Sequence, residues 1–179
     1  MKGLVFTELL EFVERHAGSS KLEEIIESSA LSTGGAYTVV GNYPHEEAVS
    51  IVLAASNELN APAADLMRQF GRELFPRFVE LYPGFFENID DAPTFLRGIQ
   101  THIHDEVMKL YPESNPPRFE VFTEENALVI TYSSHRPMAA VALGLIEGCV
   151  AHFGQPMVVR RVDDAPQGDT MARFHIAAG

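Results

Sequence analysis

The chain has 179 residues, with 13 Lys and Arg against 25 Asp and Glu and a formal net charge of −12. That length suits a single domain spanning 1–179, and 46% hydrophobic with 21% charged residues is a globular rather than a disordered composition. The acid excess argues against non-specific binding to nucleic acid or anionic membranes, which needs clustered Lys and Arg, and the length leaves no room for a sensor joined to a catalytic output domain.

The opening Met1 to Phe6 is no export signal, because Glu8, Glu11 and Glu14 interrupt it. No later run approaches the roughly 20 apolar residues of a membrane helix, so a soluble cytoplasmic protein is expected. Leu4, Val5, Leu9, Phe12 and Val13 recur at helical spacing, and Gly18-Ser19-Ser20 closes that first helix. A second helix is predicted over Leu22 to Ser29, a loop over Ser32 to Ala36, and a third helix from His45 through Leu53 and Ala54. Asn60-Ala61-Pro62 starts a fourth, carrying Leu66, Phe70, Leu74 and Phe78, in which Pro76 predicts a kink or an early break. Asp91-Ala92-Pro93 then starts a long helix through Phe95, Ile99, Ile103, Val107 and Leu110, stopped by Pro112.

Beyond Pro117 the texture turns to strands. Phe119–Thr123 and Leu128–Tyr132 flank a turn at Glu124-Glu125-Asn126, and Met138–Phe153 is an apolar helix of small residues. It holds the single Cys149, which reads as a buried reduced thiol and permits neither an internal disulfide nor a Cys-rich zinc site. Two more strands, Val158–Val162 and Met171–Ile176, meet at a turn around Pro166-Gln167-Gly168. The order predicts an α+β fold: a helical part over about 1–60 and an α/β part over about 61–179, with an antiparallel sheet packed against helices.

Seven histidines are candidates for chemistry, but no HExxH, phosphate-binding glycine pattern or GxSxG occurs. Ser134 and His135 point to opposite faces of a strand, and Ser133, which shares the His135 face, lacks an orienting third group, so a hydrolase has little support. At about 100° per residue, His104 shares a side of the long helix with Val107 and Met108. His102 lies with Glu106 and Lys109 on the polar side. His104 is therefore either a buried histidine bonded to backbone or a metal or haem ligand. At strand spacing Tyr132, Ser134 and Arg136 share one face, offering two hydroxyls and a guanidinium suited to carboxylates. A strand end with a solvated Arg would look the same.

Together, His104-Asp105-Glu106-Val107-Met108-Lys109-Leu110-Tyr111, Pro116-Pro117 and Tyr132-x-Ser134-x-Arg136 resemble the H-NOX (haem nitric oxide/oxygen binding) family. Met1-Lys2-Gly3 and Gly144-Leu145-Ile146-Glu147-Gly148 are also similar, so the resemblance spans nearly the whole chain. It implies a haem b cofactor between a helical distal part and the α/β part, with His104 as the axial ligand of the iron. Tyr132, Ser134 and Arg136 would hold the propionates and Pro117 would press on the porphyrin. Val5, Leu9, Leu74, Phe78, Val141 and Leu145 would line the distal side, and His102 and His135 would face solvent. The distal set holds no hydrogen-bond donor, Val141 standing where oxygen-binding members carry tyrosine. A sensor of NO and CO without stable oxygen binding follows, not an enzyme. By the same resemblance, NO would loosen His104 and the helical part would shift against the rest. The readout would pass in trans to a histidine kinase or a diguanylate cyclase of a bacterial source. The cysteine-rich zinc site of some members is absent. A haem-free or non-gas small-ligand binding or scaffold module of the same architecture is the alternative; a peroxidase lacks its distal His-Arg pair.

Overall fold

The structure, a computed structural model, describes residues 1–110, 114–162 and 168–179, and falls into two compact units, Met1–Phe70 and Gly71–Gly179. In the first unit, α1 (Gly3–Ala17) buries Leu9, Phe12 and Val13. Gly18, at φ 85°, ends it and lets α2 (Ser19–Ser28) begin at once, three residues before the predicted start. Helix α3 (His45–Leu59) buries Ile51, Val52 and Ala55 and ends on Asn60 in the left-handed region. The first turns of α4 (Ala63–Leu81) complete this unit.

The loop between α2 and α3 is tied down at both ends. Gly3 N–H donates to the Gly41 carbonyl at 2.8 Å and Leu4 N–H to that of Val39 at 3.0 Å, while Phe6 stacks on Tyr37 with centroids 4.4 Å apart. Gly3 is obligatory for this approach, since a Cβ there would sit 1.8 Å from the Thr38 carbonyl oxygen. The buried Glu47 carboxylate accepts from Ser32 N–H (3.1 Å), the Ser32 hydroxyl, the Thr33 hydroxyl (2.9 Å) and the Tyr37 hydroxyl (2.6 Å). Burial alone would raise its pKa, but these donors outweigh it and hold the carboxyl below its ordinary value.

The second unit contains the rest of α4, α5 (Ala92–Gly98), a π-helical turn (Ile99–His104), α6 (Asp105–Leu110) and α7 (Ala139–His152). Strands β1 (Arg118–Glu124), β2 (Ala127–Ser133), β3 (Met157–Arg161) and β4 (Met171–Ala178) form an antiparallel sheet in the order β1-β2-β4-β3. Glu125 and Asn126, both at positive φ, make the tight β1–β2 turn that sets Phe119 opposite Tyr132. Leu128, Ile130, Tyr132, Phe174 and Ile176 line the inner face of the sheet and join Phe75, Phe95, Ile146 and Cys149 in one core. The α+β expectation holds: helices with a four-stranded antiparallel sheet.

Two helical expectations need correction. Pro76 does not break α4, which runs on to Leu81 because Leu74 and Phe75 before the proline and Val79 after it are anchored by burial. The long helix from Ala92 is not one α-helix, since the π-helical turn interrupts it, with Asp105 N–H reaching back to the Gln100 carbonyl. That i→i+5 closure shifts the phase of everything after it. Met108, predicted to share the His104 side, is consequently exposed. Tyr111, Pro112 and the Pro166-Gln167 turn lie outside the described residues. Among the described residues no helix is long and apolar enough to cross a membrane.

Candidate functional site

His104 closes the π-helical turn, and its ring lies 5.4 Å from that of Phe119, with the ring of Tyr132 a further 5.5 Å on. Its Nδ1 is buried with no hydrogen-bond partner. Burial pushes the imidazole pKa below its usual value, opposed by the Pro117 carbonyl and the Asp105 charge. The ring is thus kept neutral, the form in which imidazole ligates metals. The bland reading of a histidine bonded to backbone has the Pro117 carbonyl in its favour, while the buried Nδ1 without a partner is what points to a ligand. His102 is exposed, its ring lying over Gly98 and within 3.1 Å of the Thr101 hydroxyl.

Tyr132 is fully in the core, on β2, while Ser134 and Arg136 are half-buried and His135 is exposed. The strand ends at Ser133, so the expectation of a continuous strand face through Arg136 is corrected: Ser134 to Arg136 form a turn. The three residues nonetheless stay coupled. Ser134 Oγ accepts from Arg136 N–H at 3.0 Å. Burial raises the Tyr132 phenol pKa, and the Ser134 hydroxyl and the Arg136 charge offset part of the rise. Arg136 Nη1 donates to the Asn115 carbonyl at 2.8 Å, next to Ser114, whose hydroxyl is buried without a partner. Pro117 is half-buried two residues later.

Of the apolar residues singled out from sequence, Leu74 and Val141 are buried and Phe78 and Leu145 partly so in the second unit. Leu9 is buried and Val5 partly so, one helical turn apart on α1 in the first. Helices α4 and α7 meet through glycine: a Cβ on Gly71 would lie 2.3 Å from the Val141 carbonyl, and one on Gly148 2.7 Å from Phe75 Cβ. Sequence reasoning missed Gln100, whose Oε1 accepts from the Phe119 N–H at 3.2 Å, and the Ser114–Asn115 segment. Nothing in helical or strand periodicity marks a polar side chain that bonds to backbone 19 residues away.

This donor set fits an iron porphyrin. One neutral, desolvated imidazole with an unpartnered nitrogen suits an iron whose other in-plane ligands the porphyrin brings. A phenol, a hydroxyl and a guanidinium suit its carboxylates. Comparison with known proteins gives the same direction. The haem-NO-binding family pattern matches residues 2–161. The chain is similar to the Fe(II) unliganded H-NOX protein of K. algicida, at 30% identity over 100% of this chain and 97% of that one, with a TM-score of 0.92. It is also similar to the Shewanella woodyi H-NOX in its Fe(II)CO state with IWP-051 bound, at 34% identity over 100% and 95% and a TM-score of 0.83. The S. oneidensis H-NOX protein in its Fe(II)NO state matches at 28% identity over 100% and 99%, with a TM-score of 0.87. A family match over most of the chain, on a fold that supplies a buried histidine nitrogen and a phenol, hydroxyl and guanidinium close in sequence, places the protein in the H-NOX family of haem-based gas sensors.

Proposed function

We propose that the protein is a cytoplasmic sensor that binds nitric oxide and carbon monoxide at a ferrous, histidine-ligated haem b, forms no stable oxygen complex, and signals in trans to a separate enzyme. The observation that carries this reading is the buried, partnerless Nδ1 of a neutral His104 beside Phe119 and Tyr132. When bound, haem would supply a ferrous iron able to take up nitric oxide or carbon monoxide, and His104 is the residue that would hold it. Its desolvation keeps the ring unprotonated and ready to ligate. Tyr132, Ser134 and Arg136 orient the cofactor by its carboxylates, and Pro117 bears on the ring. Within the second unit, Leu74, Phe78, Val141 and Leu145 offer carbon alone, so they would exclude water and give bound oxygen no donor, a deficit that costs oxygen far more than NO or CO. His104 ends the π-helical turn and leads directly into α6, so a change in how firmly its ring is held would bias α6, the output this reading assigns.

The test is an absorption spectrum of the haem-reconstituted protein. A Soret band that shifts on adding NO, is lost in His104→Gly and returns with imidazole is expected. Absence of haem uptake would favour a haem-free ligand-binding or scaffold module, and an NO complex that keeps His104 bound would sink the release step. The partner is a histidine kinase or a diguanylate cyclase, met through the acidic surface that a net charge of −12 implies. Partner affinity that does not fall with ionic strength would count against that surface.

A further inference from the structure

We infer that Gln100 is a positioning residue for His104, acting through the π-helical turn; this rests on the haem-sensor reading. Six residues, Ile99–His104, are wound with i→i+5 closure, and Gln100 takes part twice. Its backbone carbonyl accepts from Asp105 N–H, the bond that closes the turn around His104. Its side-chain Oε1 accepts from Phe119 N–H at 3.2 Å, on the strand residue whose ring lies 5.4 Å from His104. β1 is an edge strand, and the Phe119 N–H points away from its partner Tyr132 on β2. Phe119 is the buried residue of β1 and this bond is partly shielded, so the Gln100 oxygen is the protein acceptor that its N–H meets.

One side chain thus latches the widened turn to the rigid sheet. The turn lacks the regular i→i+4 ladder that stiffens an α-helix, so without the latch the segment carrying His104 keeps its packing through Ile99 and Ile103 but loses its Gln100 bond to the backbone of β1. With the latch closed, the imidazole is held at fixed distance from Phe119 and the iron–histidine bond is made by a preorganised ligand. With it open, the ring follows the motions of the π-helical turn.

Two near-isosteric variants separate the acceptor from packing. Gln100→Met keeps the length and removes the acceptor, while Gln100→Glu keeps an acceptor oxygen in place. In the haem-loaded protein two signals are read: the iron–histidine stretching band of the ferrous state by resonance Raman, and amide exchange at Phe119 and Asp105. Q100M is expected to shift and broaden the band, to speed exchange at Phe119 by about tenfold and to hasten the passage of the NO complex to five-coordination. Q100E is expected to match wild type in all three. Should Q100M not fold, Gln100→Asn, whose amide falls one methylene short, takes its place. Wild-type behaviour in Q100M, or equal changes in Q100M and Q100E, would overturn the proposal. Failure of the wild type to take up haem would instead refute the sensor reading, and the exchange signal would still decide whether the latch exists.

Discussion

Replacing Gly71 by alanine tests how tightly the distal half of the second unit is built. The new Cβ would stand 2.3 Å from the Val141 carbonyl oxygen, 2.9 Å from Leu145 N and 3.1 Å from Gly144 Cα, and real Cβ contacts essentially never fall below 3.0 Å. All three obstructing atoms are α7 backbone, so no side-chain rotation relieves the clash, and α4 and α7 must separate by at least about 0.7 Å in a close-packed interior. Overpacking against backbone belongs at the upper part of its usual range, about 3 kcal/mol. Alanine gives back about 1 kcal/mol through its helix propensity. The net expectation is a loss of about 2 kcal/mol, or a fall in Tm of about 4–8 °C for a chain of this size. Equilibrium urea unfolding measures it directly, with Gly84→Ala as the control: nothing lies within 4 Å of a Cβ there, and its effect should stay within about 0.5 kcal/mol. A Gly71→Ala protein as stable as wild type would refute the argument that glycine is required for the α4–α7 approach.

Val141→Tyr should confer an oxygen-complex spectrum on the ferrous haem protein if the hydroxyl reaches the iron face; no oxy spectrum would weaken the assignment of Val141 to the distal side. Arg136→Leu should speed haem transfer to apomyoglobin while leaving the His104-dependent Soret band in place, and an unchanged transfer rate would remove Arg136 from the propionate set. Glu47→Gln should cost about 2 kcal/mol at pH 7, because the charge-assisted bonds from Ser32, Thr33 and Tyr37 weaken together. The Glu47 carboxyl has a folded pKa below its ordinary value near 4.5, so the unfolded chain binds more protons as the pH falls. Its stabilisation is complete above that ordinary value and is lost as pH drops through the folded one. The wild type should therefore lose its advantage over Glu47→Gln in that acid window, and a constant difference between pH 7 and pH 3 would show that the carboxylate is not the cause.

Most elements were legible because a local signal set them: Gly18 at the α1–α2 junction, Asn60-Ala61-Pro62 ahead of α4, and the Glu125-Asn126 turn that fixes the β1–β2 register. The inward placement of His104 was also legible, since the buried Ala92, Phe95 and Leu96 fix the inner face of α5 before the π-helical turn begins. What followed the turn was not, and Met108 is the cost of assuming 100° per residue throughout. The early break that Pro76 offered beside a kink does not occur, because helix-breaking is a local penalty of about 3 kcal/mol and buried neighbours on both sides outweigh it. The Tyr132-Ser134-Arg136 trio was visible as a motif, yet its geometry comes from a turn and an Arg136–Asn115 bond, neither of which alternation encodes. Gln100 left no trace in sequence because its partner is a backbone N–H on another element.

The short segment after α6 connects the two halves of the proposed cofactor site. The Pro117 carbonyl faces His104, and two residues earlier the Asn115 carbonyl accepts from Arg136 while its side-chain amide lies 3.3 Å from His135 Nδ1. Phe119, two residues beyond Pro117, packs against His104 and is latched by Gln100. On the proposed function, motion of the imidazole would be opposed at Phe119 by the sheet, where β1 is held in register with β2 over seven residue pairs. It would pass more readily along 115–117 toward Arg136, where Ser134 Oγ accepts from Arg136 N–H outside the strand. A release of His104 would then act on α6 and on the segment that carries Pro117 rather than on β1. The net charge of −12 bears on a partner's approach, whereas the proposed ligand-driven step would depend on one histidine and on the few residues that hold it still.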